Sequence, residues 1–294
     1  WAWLRTLPAI RAETPANALD FPYGNRWLMA FWKTLYFDPG VFRPVPDRGA
    51  EENRGAYLVQ ALAHCGACHT PRGVLGAERE ELFLAGGSYL DRVPGAGHRP
   101  WSTPNLTPSA RGLGLWSRED LVAYLGTGRN AFIETFGPMN EVIMNSTRHL
   151  ERSDLEALAA YLESLAPIRE RSRDAPDERT MGRGRTVYNL WCGTCHLPTG
   201  AGDPEMAPRL DGGSLVVQTD DPAALINVVL YGPELSRELP KQWREPMEPH
   251  RYELDDREIA AVLTFVRNSW GNEAGVVTAA EVAAQRRAGP GAAR

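Results

Sequence analysis

Apolar residues recur at helical spacing in several stretches of the chain. One stripe, which Pro167 ends, predicts a helix over residues 154–165. A second stripe, from Ile259 to Trp270, predicts a helix capped by Asp255. Shorter stripes predict helices over residues 54–63, 118–126 (capped by Ser117), about 181–191, and 222–230. The chain is therefore predicted to be mostly α-helical.

The N-terminal region is rich in aromatic residues between positions 21 and 42. Trp27 and Phe31 lie at helical spacing, which predicts an amphipathic helix. We favour a helix that packs on the domain that follows it. The alternative is a docking surface for a partner, a quinone or a membrane face. Residues 1–10 are predicted to be the tail of a helix that ends at Pro8.

All four cysteines of the chain occur in a repeated pentapeptide. Its two copies are Cys65-Gly66-Ala67-Cys68-His69 and Cys192-Gly193-Thr194-Cys195-His196. C-x-x-C-H is an attachment site for c-type haem, in which both thiols form thioethers and the histidine binds the iron. A zinc site would need the two cysteine pairs close together in the chain, and a thioredoxin-like site would need a βαβ pattern. The sequence therefore predicts two covalently bound haem c groups.

The order of elements around the two motifs also repeats. Each half reads helix, motif, loop, helix, methionine, helix, which indicates an internal duplication. Tyr161 and Phe265 occupy corresponding positions in the last helix of each half. A charged stretch without apolar residues separates the halves and predicts a linker. The predicted segments are an N-terminal segment 1–49, a first haem domain 50–168, a linker 169–180, a second haem domain 181–272 and a C-terminal tail 273–294, mobile or docked on a partner.

Each iron needs a second axial ligand unless it stays open. Met139 and Met247 follow the middle helix of their halves and lie next to prolines, which stiffen a loop that presents sulfur. A thioether favours Fe(II) and raises the reduction potential. We predict His69 with Met139 and His196 with Met247. The alternatives are Met144, Met206, His149 and His250, of which His250 competes most directly because it lies three residues from Met247.

A long Gly/Pro-rich region, residues 70–114, follows the first motif and is expected to wrap the haem edge. Within it, Trp101 and Asn105 are candidates for contacts with the haem propionates, and Arg72 is a candidate ion-pair partner for a propionate. Turn chemistry and a solvated charge are equally good explanations of these residues.

Composition and charge narrow the classes of partner. The net charge is −5, and no block of Lys and Arg is long enough to follow a phosphate backbone, so nucleic acid is not an expected partner. No apolar run approaches the ~20 residues that span a bilayer. The chain begins at Trp1, and we expect a processed or trimmed product. C-type haem is normally attached outside the cytoplasmic membrane, which predicts a periplasmic protein.

Several passages together resemble a known family. They are Asn53-Arg-Gly-Ala-Tyr-Leu-Val, His64-Cys-Gly-Ala-Cys-His-Thr-Pro-Arg, Pro104-Asn-Leu-Thr, Gly137-Pro-Met and Ser269-Trp-Gly-Asn. They resemble the multihaem cytochrome c subunits of bacterial membrane-bound dehydrogenases, which act on alcohols, gluconate, sorbitol, fructose or aldehydes. The resemblance implies two tandem class I cytochrome c domains with long loops, and it matches Met139 and Met247 to the family's axial methionines.

The resemblance also implies partners. Family members take electrons from a catalytic subunit that carries FAD, PQQ or molybdopterin. They pass the electrons to a quinone, a terminal oxidase or a soluble cytochrome. They do so at the outer face of the inner membrane, where association with the membrane surface is a possible mode of attachment. The family usually has three haem domains, whereas this sequence has two motifs, and residues 1–10 resemble the end of a first domain.

Two function classes follow from these observations. The first is an electron relay without a substrate pocket at iron, so not an enzyme in its own right. The second is a haem enzyme such as a dihaem peroxidase, which requires an open iron. A thiosulfate dehydrogenase with a cysteine ligand would need a cysteine outside the two motifs, and the sequence has none.

Overall fold

A computed structural model describes residues 2–16, 18–22, 24–93, 97–171, 174–239 and 246–290. The chain forms two compact units, residues 1–42 and 43–294. The helices are α1 Arg26–Tyr36, α2 Ala50–Tyr57, α3 Gly66–His69, α4 Arg118–Thr127, α5 Met139–Asn145, α6 Arg152–Ser164, α7 Glu178–Trp191, α8 Gly193–His196, α9 Leu215–Gln218, α10 Ala223–Tyr231, α11 Asp256–Arg267 and α12 Ala279–Ala288. The strands are β1 Gly87–Val93 and β2 Gly97–Thr103. The predicted mostly helical class is confirmed.

The first unit contains one regular helix, α1. Within the described residues none of its side chains is buried, and the rings of Trp32 and Tyr36 lie 5.4 Å apart along one side. The predicted helix in the aromatic segment is therefore present. The helix tail predicted before Pro8 is not present, because only a single 3₁₀ turn, Leu4–Thr6, forms there.

Each half of the second unit is built on two crossing helices that touch through a glycine. A Cβ on Gly55 of α2 would collide with the backbone of α6, and a Cβ on Gly184 of α7 would collide with the backbone of α11. The atoms met are the carbonyl oxygen of an alanine and the Cβ of the aromatic residue one turn later: Ala157 and Tyr161 on α6, Ala261 and Phe265 on α11. The predicted equivalence of Tyr161 and Phe265 thus reflects one packing arrangement used twice.

Side-chain caps fix the starts of two of the predicted helices. Ser117 and Asp120 form a capping box at the start of α4, and Asp255 and Glu258 form another at the start of α11. Each box satisfies two backbone N–H groups that the first turn of a helix leaves without partners. The helix expected over residues 54–63 begins at Ala50 and continues beyond α2 as a π-helical turn, Leu58–Leu62. That turn leads directly into the first motif.

The region expected to be an irregular loop around the haem edge contains an antiparallel hairpin. Strands β1 and β2 pair with Gly87 opposite Thr103. The hairpin packs against the second half: the Ser102 hydroxyl accepts from the Ala224 N–H at 2.9 Å, and the Asn227 amide donates to the Pro100 carbonyl at 2.9 Å. The hairpin, which belongs to the first half by sequence, therefore forms part of the seam between the halves.

The C-terminal segment is part of the core and is not a mobile tail. Helix α12 starts with a capping box formed by Thr278 and Glu281, and it buries Val282 completely. Residues 291–294 of the predicted tail and 172–173 of the predicted linker lie outside the described residues. The start of the linker is tied to the first half, since the Glu170 carboxylate accepts from the Asn105 amide at 2.8 Å. Within the described ranges, every helix is too short or too polar to span a lipid bilayer.

Candidate haem-attachment sites

The first Cys-x-x-Cys-His motif forms its own short helix. Cys65 precedes α3, and the helix ends at His69. The Nδ1 of His69 lies 2.9 Å from the carbonyl oxygen of Pro104. Because a carbonyl only accepts, this contact assigns the proton to Nδ1 and leaves the Nε2 lone pair as the donor to a metal.

The second motif repeats this arrangement on α8. The Nδ1 of His196 lies 2.9 Å from the carbonyl oxygen of Pro208. The proline follows its histidine by 12 residues here and by 35 residues in the first half, where the hairpin is inserted between them. Both motif histidines therefore make the same Nδ1 hydrogen bond to a prolyl carbonyl, although the loops that supply the two prolines differ in length. Such a contact fixes the tautomer and the ring orientation of a metal-binding histidine.

Burial favours the neutral form of the motif histidines and of the Cys65 and Cys192 thiols. The four cysteines, all within the described ranges, are free thiols. Burial raises the pKa of the Cys65 thiol to about 11 and that of Cys192 to about 12. Burial also lowers the pKa of both His69 and His196, which favours the neutral imidazole that coordinates a metal. In the described part of the chain, no group of three or more His, Cys, Asp or Glu side chains is placed to hold a metal ion.

Strand β2 organises the first site. The Thr103 hydroxyl donates to the Cys68 carbonyl at 2.9 Å, and Pro104, directly after the strand, holds His69. On the same strand, Trp101 packs so closely on Gly137 that a Cβ there would lie 2.9 Å from the indole ring. Gly137 adopts φ +57° and precedes Met139 by two residues. One strand thus contacts the segments of both predicted axial ligands.

Segments that precede the two predicted methionine ligands in the chain meet at the seam. Met139 is the first residue of α5. Just before it, the Gly137 N–H donates to the Glu234 carbonyl at 3.1 Å, and Phe136 forms a β-bridge with Leu235. Residues 234 and 235 follow α10 and precede Met247 in the chain. The side chain of Met247 packs on the apolar core of the second half, as does Cys192 of the second motif.

The alternative ligands occupy less suitable positions, with one exception. Met206 is 46% exposed, and the Met144 sulfur accepts a hydrogen bond from Arg148 at 3.3 Å. The Nε2 of His149 lies 2.9 Å from the carbonyl of Met144. His250 is the exception. Its ring lies 5.8 Å from that of Trp191, next to the second motif, so it remains the competitor of Met247.

The three predicted propionate residues differ in their surroundings. Trp101 is 3% exposed, and its indole N–H has no acceptor among the described residues. The Asn105 amide is occupied: it donates to Ser109, Ile168 and Glu170 and accepts from Thr107. Arg72 donates to the carbonyls of Gly76 and Ala67. Turn chemistry thus accounts for Asn105 and Arg72, whereas Trp101 retains a donor for an acidic group.

The residues present fit a haem c at each motif. In each motif, two free thiols lie beside a neutral imidazole whose Nδ1 is already hydrogen-bonded to a prolyl carbonyl. A buried donor without a protein acceptor, Trp101 Nε1, lies on the strand that contacts the first motif. A carboxylate such as a haem propionate would satisfy that donor.

Sequence reasoning missed the two contact glycines, the two prolines that hold the histidines, and Arg99. Gly55 and Gly184 each precede a motif by less than three helical turns, and each is followed by an apolar pair, Leu58-Val59 or Val187-Tyr188. That repeat was a usable signal. Nothing in the sequence alone marked Arg99, because its burial depends on the packing of the hairpin against α10.

Comparisons with known proteins agree with the duplicated arrangement. A family model described as cytochrome c matches residues 53–166 and 181–270. The cytochrome c subunit of the alcohol dehydrogenase (quinone) of Gluconobacter oxydans (strain 621H) is 33% identical over 95% of this chain and 61% of its own length. The gluconate 2-dehydrogenase cytochrome c subunit of Pantoea cypripedii is 32% identical over 95% of this chain and 66% of its own length.

A third relative is a dihaem cytochrome c-type protein of Cereibacter sphaeroides, 36% identical over 57% of this chain and 53% of its own length. The chain spans about three-fifths of the length of the alcohol dehydrogenase (quinone) cytochrome c subunits that it matches.

Proposed function

Because the chain belongs to the cytochrome c family, we propose that it is an electron-transfer protein that carries two covalently bound haem c groups. The observation that supports this most strongly is the repeated hydrogen bond from a motif histidine to a prolyl carbonyl, 2.9 Å in each half. A histidine held in this way presents one nitrogen in a fixed direction, as an axial ligand must.

We assign the residues around each group as follows. Cys65 and Cys68 in the first half, and Cys192 and Cys195 in the second, form the thioethers. His69 and Met139 bind the first iron, and His196 and Met247 bind the second. The haem iron supplies one-electron oxidation and reduction. Burial favours the neutral form of both imidazoles. The two methionine sulfurs would complete the ligand sets, so that each iron would exchange electrons without offering a position to a substrate.

The dehydrogenase relatives suggest the setting. Their names describe cytochrome c subunits of an alcohol dehydrogenase (quinone) and a gluconate 2-dehydrogenase. We propose that this chain receives electrons from a catalytic subunit of the FAD, PQQ or molybdopterin type. It then delivers them to a quinone, a terminal oxidase or a soluble cytochrome, and it works in the periplasm at the outer face of the inner membrane. In that complex the substrate is oxidised on the catalytic subunit.

Absorption and redox titration of the purified haem-loaded chain test the function. We expect two haems per chain, a far-red Met–iron band in the oxidised protein, and no ready binding of carbon monoxide at either centre. A colourless chain would refute the proposal. High-spin iron with peroxide turnover by the purified chain would identify a dihaem peroxidase instead.

Methionine variants test the ligand assignment. Met139→Ala is expected to open the first iron and lower its potential while the second is unchanged, and Met247→Ala is expected to do the reverse. Met206→Ala, at an exposed methionine, is the matched control and should change neither. If His250→Ala perturbs the second centre and Met247→Ala does not, the nitrogen ligand is correct and our assignment is wrong.

A further inference from the structure

Arg99 on strand β2 is a buried cation whose hydrogen bonds are incomplete. Its side chain is 3% exposed and lies between two aromatic rings, 4.8 Å from the centroid of Trp101 and 5.6 Å from that of Tyr231. Its Nη2 donates to the Glu234 carboxylate of the second half at 2.6 Å and lies 3.5 Å from Asp91. Its Nε and Nη1 have no acceptor among the described residues.

Unsatisfied buried donors are rare because each gives up its hydrogen bonds to water without a replacement, and the cost is larger for a charged group. Here Arg99 Nε, Arg99 Nη1 and Trp101 Nε1 are all without an acceptor in the described part of the chain, and the two side chains stack on each other. Glu234 and Asp91 already engage one end of the guanidinium. The remaining donors are therefore suited to a further acceptor that the polypeptide itself does not provide.

The position of these donors indicates what the acceptor is. Residues 99, 101 and 103 lie on the same side of strand β2, because side chains alternate along a strand. Thr103 bonds to Cys68 of the first motif, and Trp101 contacts the glycine before Met139. A haem held by this motif carries two propionates, and a carboxylate is the group that arginine and indole N–H donors bind best.

We propose that Arg99 binds a propionate of the first haem, alongside Trp101, and so raises the reduction potential of that centre. The proposal rests on the proposed function. Its physical basis is that a fixed positive charge favours the reduced iron, which carries one positive charge less than the oxidised iron. Glu234 acts as a positioning residue, because its contact holds the guanidinium from the side of the second half.

Redox titration of the haem-loaded full chain tests the proposal, with the first centre identified as the one that Met139→Ala alters. Arg99→Met is expected to lower the equilibrium constant for reduction of the first centre about tenfold, or about 59 mV for one electron. The second centre should be unchanged. Arg99→Lys should recover part of the shift, because it keeps the charge but not the planar donor set.

Arg111→Met is the matched control. Arg111 also bridges the seam, by donating to Asp220 at 3.0 Å and to the Arg171 carbonyl at 2.8 Å, but it is not on β2. If Arg99→Met shifts the first centre no more than Arg111→Met does, the proposal is wrong and the free donors bind buried water. That result would leave two low-spin haems, whereas failure of the proposed function would leave a colourless chain or high-spin iron that turns over peroxide.

Trp101→Phe keeps the test decisive if Arg99→Met does not fold. This change removes one N–H donor and keeps most of the ring that packs on Gly137. Resonance Raman spectra should show a shifted propionate bending mode for one of the two haems in Trp101→Phe and in Arg99→Lys. An unshifted mode in both variants would overturn the proposal.

Discussion

The glycine contact between α7 and α11 predicts opposite effects for two alanine substitutions in one helix. At Gly184 an added Cβ would collide with the backbone carbonyl of Ala261, which cannot rotate away. At Gly182, in the same helix, an added Cβ would meet nothing within 4 Å among the described residues. Both substitutions gain the same helix propensity, about 0.8–1 kcal/mol. The pair therefore isolates the packing cost from the backbone effect.

The magnitude follows from two opposing terms. Overpacking a close-packed contact costs about 1–3 kcal/mol, and a clash with backbone belongs at the upper end. After the propensity gain, Gly184→Ala should destabilise the protein by about 2 kcal/mol, which lowers Tm by about 4–8 °C for a unit of this size. Gly182→Ala should raise Tm by about 2–4 °C.

Thermal unfolding of the haem-loaded protein, followed by far-UV circular dichroism, measures both changes. Because α7 leads directly into Cys192, separation of the helices should also reduce the haem content of the second site in Gly184→Ala. Equal Tm values for the two variants would refute the glycine-contact argument, since the structure gives only Gly184 a neighbour to collide with.

Three further changes test other contacts. Ser117→Ala removes the cap of α4 and should cost about 0.5–2 kcal/mol in urea unfolding, with no change in the visible spectrum. Arg267→Met removes a fully buried guanidinium and should cost at least about 3 kcal/mol, measured by the same unfolding, because several carbonyls lose a charged donor. These carbonyls belong to Val217, Thr219, Asp220, Ala274 and Gly275. Burial raises the pKa of Tyr124 to about 12. Its unfolded-state pKa is about 10, so stability should fall as pH rises from about 10 to 12, and Tyr124→Phe should flatten that part of the stability profile.

The elements that the sequence predicted correctly are those whose signals are local. Ser117 with Asp120, and Asp255 with Glu258, specify helix starts within one turn of chain. The motif residues are local in the same sense, since both thiols and the imidazole lie within one short helix. Short-range patterns of this kind can be recognised before anything is known of the fold.

The elements that were missed either depend on residues far away in the chain or carry a local capping signal within a segment whose composition suggested a loop or tail. The hairpin lies in a Gly/Pro-rich region, and its inner residues are buried by α10 and not by a neighbouring strand. Helix α12 lies in an Ala/Arg-rich segment whose composition suggested a tail. Its start is nevertheless marked in the sequence by Thr278 and Glu281, which are three residues apart and form a capping box. Gly55 can be understood only once α6 lies across it.

The bridge between Phe136 and Leu235 makes two surface loops dependent on each other in length. Exposed connections usually tolerate insertions and deletions because their backbone is not paired with anything distant. Here a residue added before Gly137 would move the Gly137 N–H out of register with the Glu234 carbonyl. A residue lost before Glu234 would move that carbonyl out of register with the Gly137 N–H. Homologues that lengthen one of these loops should carry a compensating change in the other.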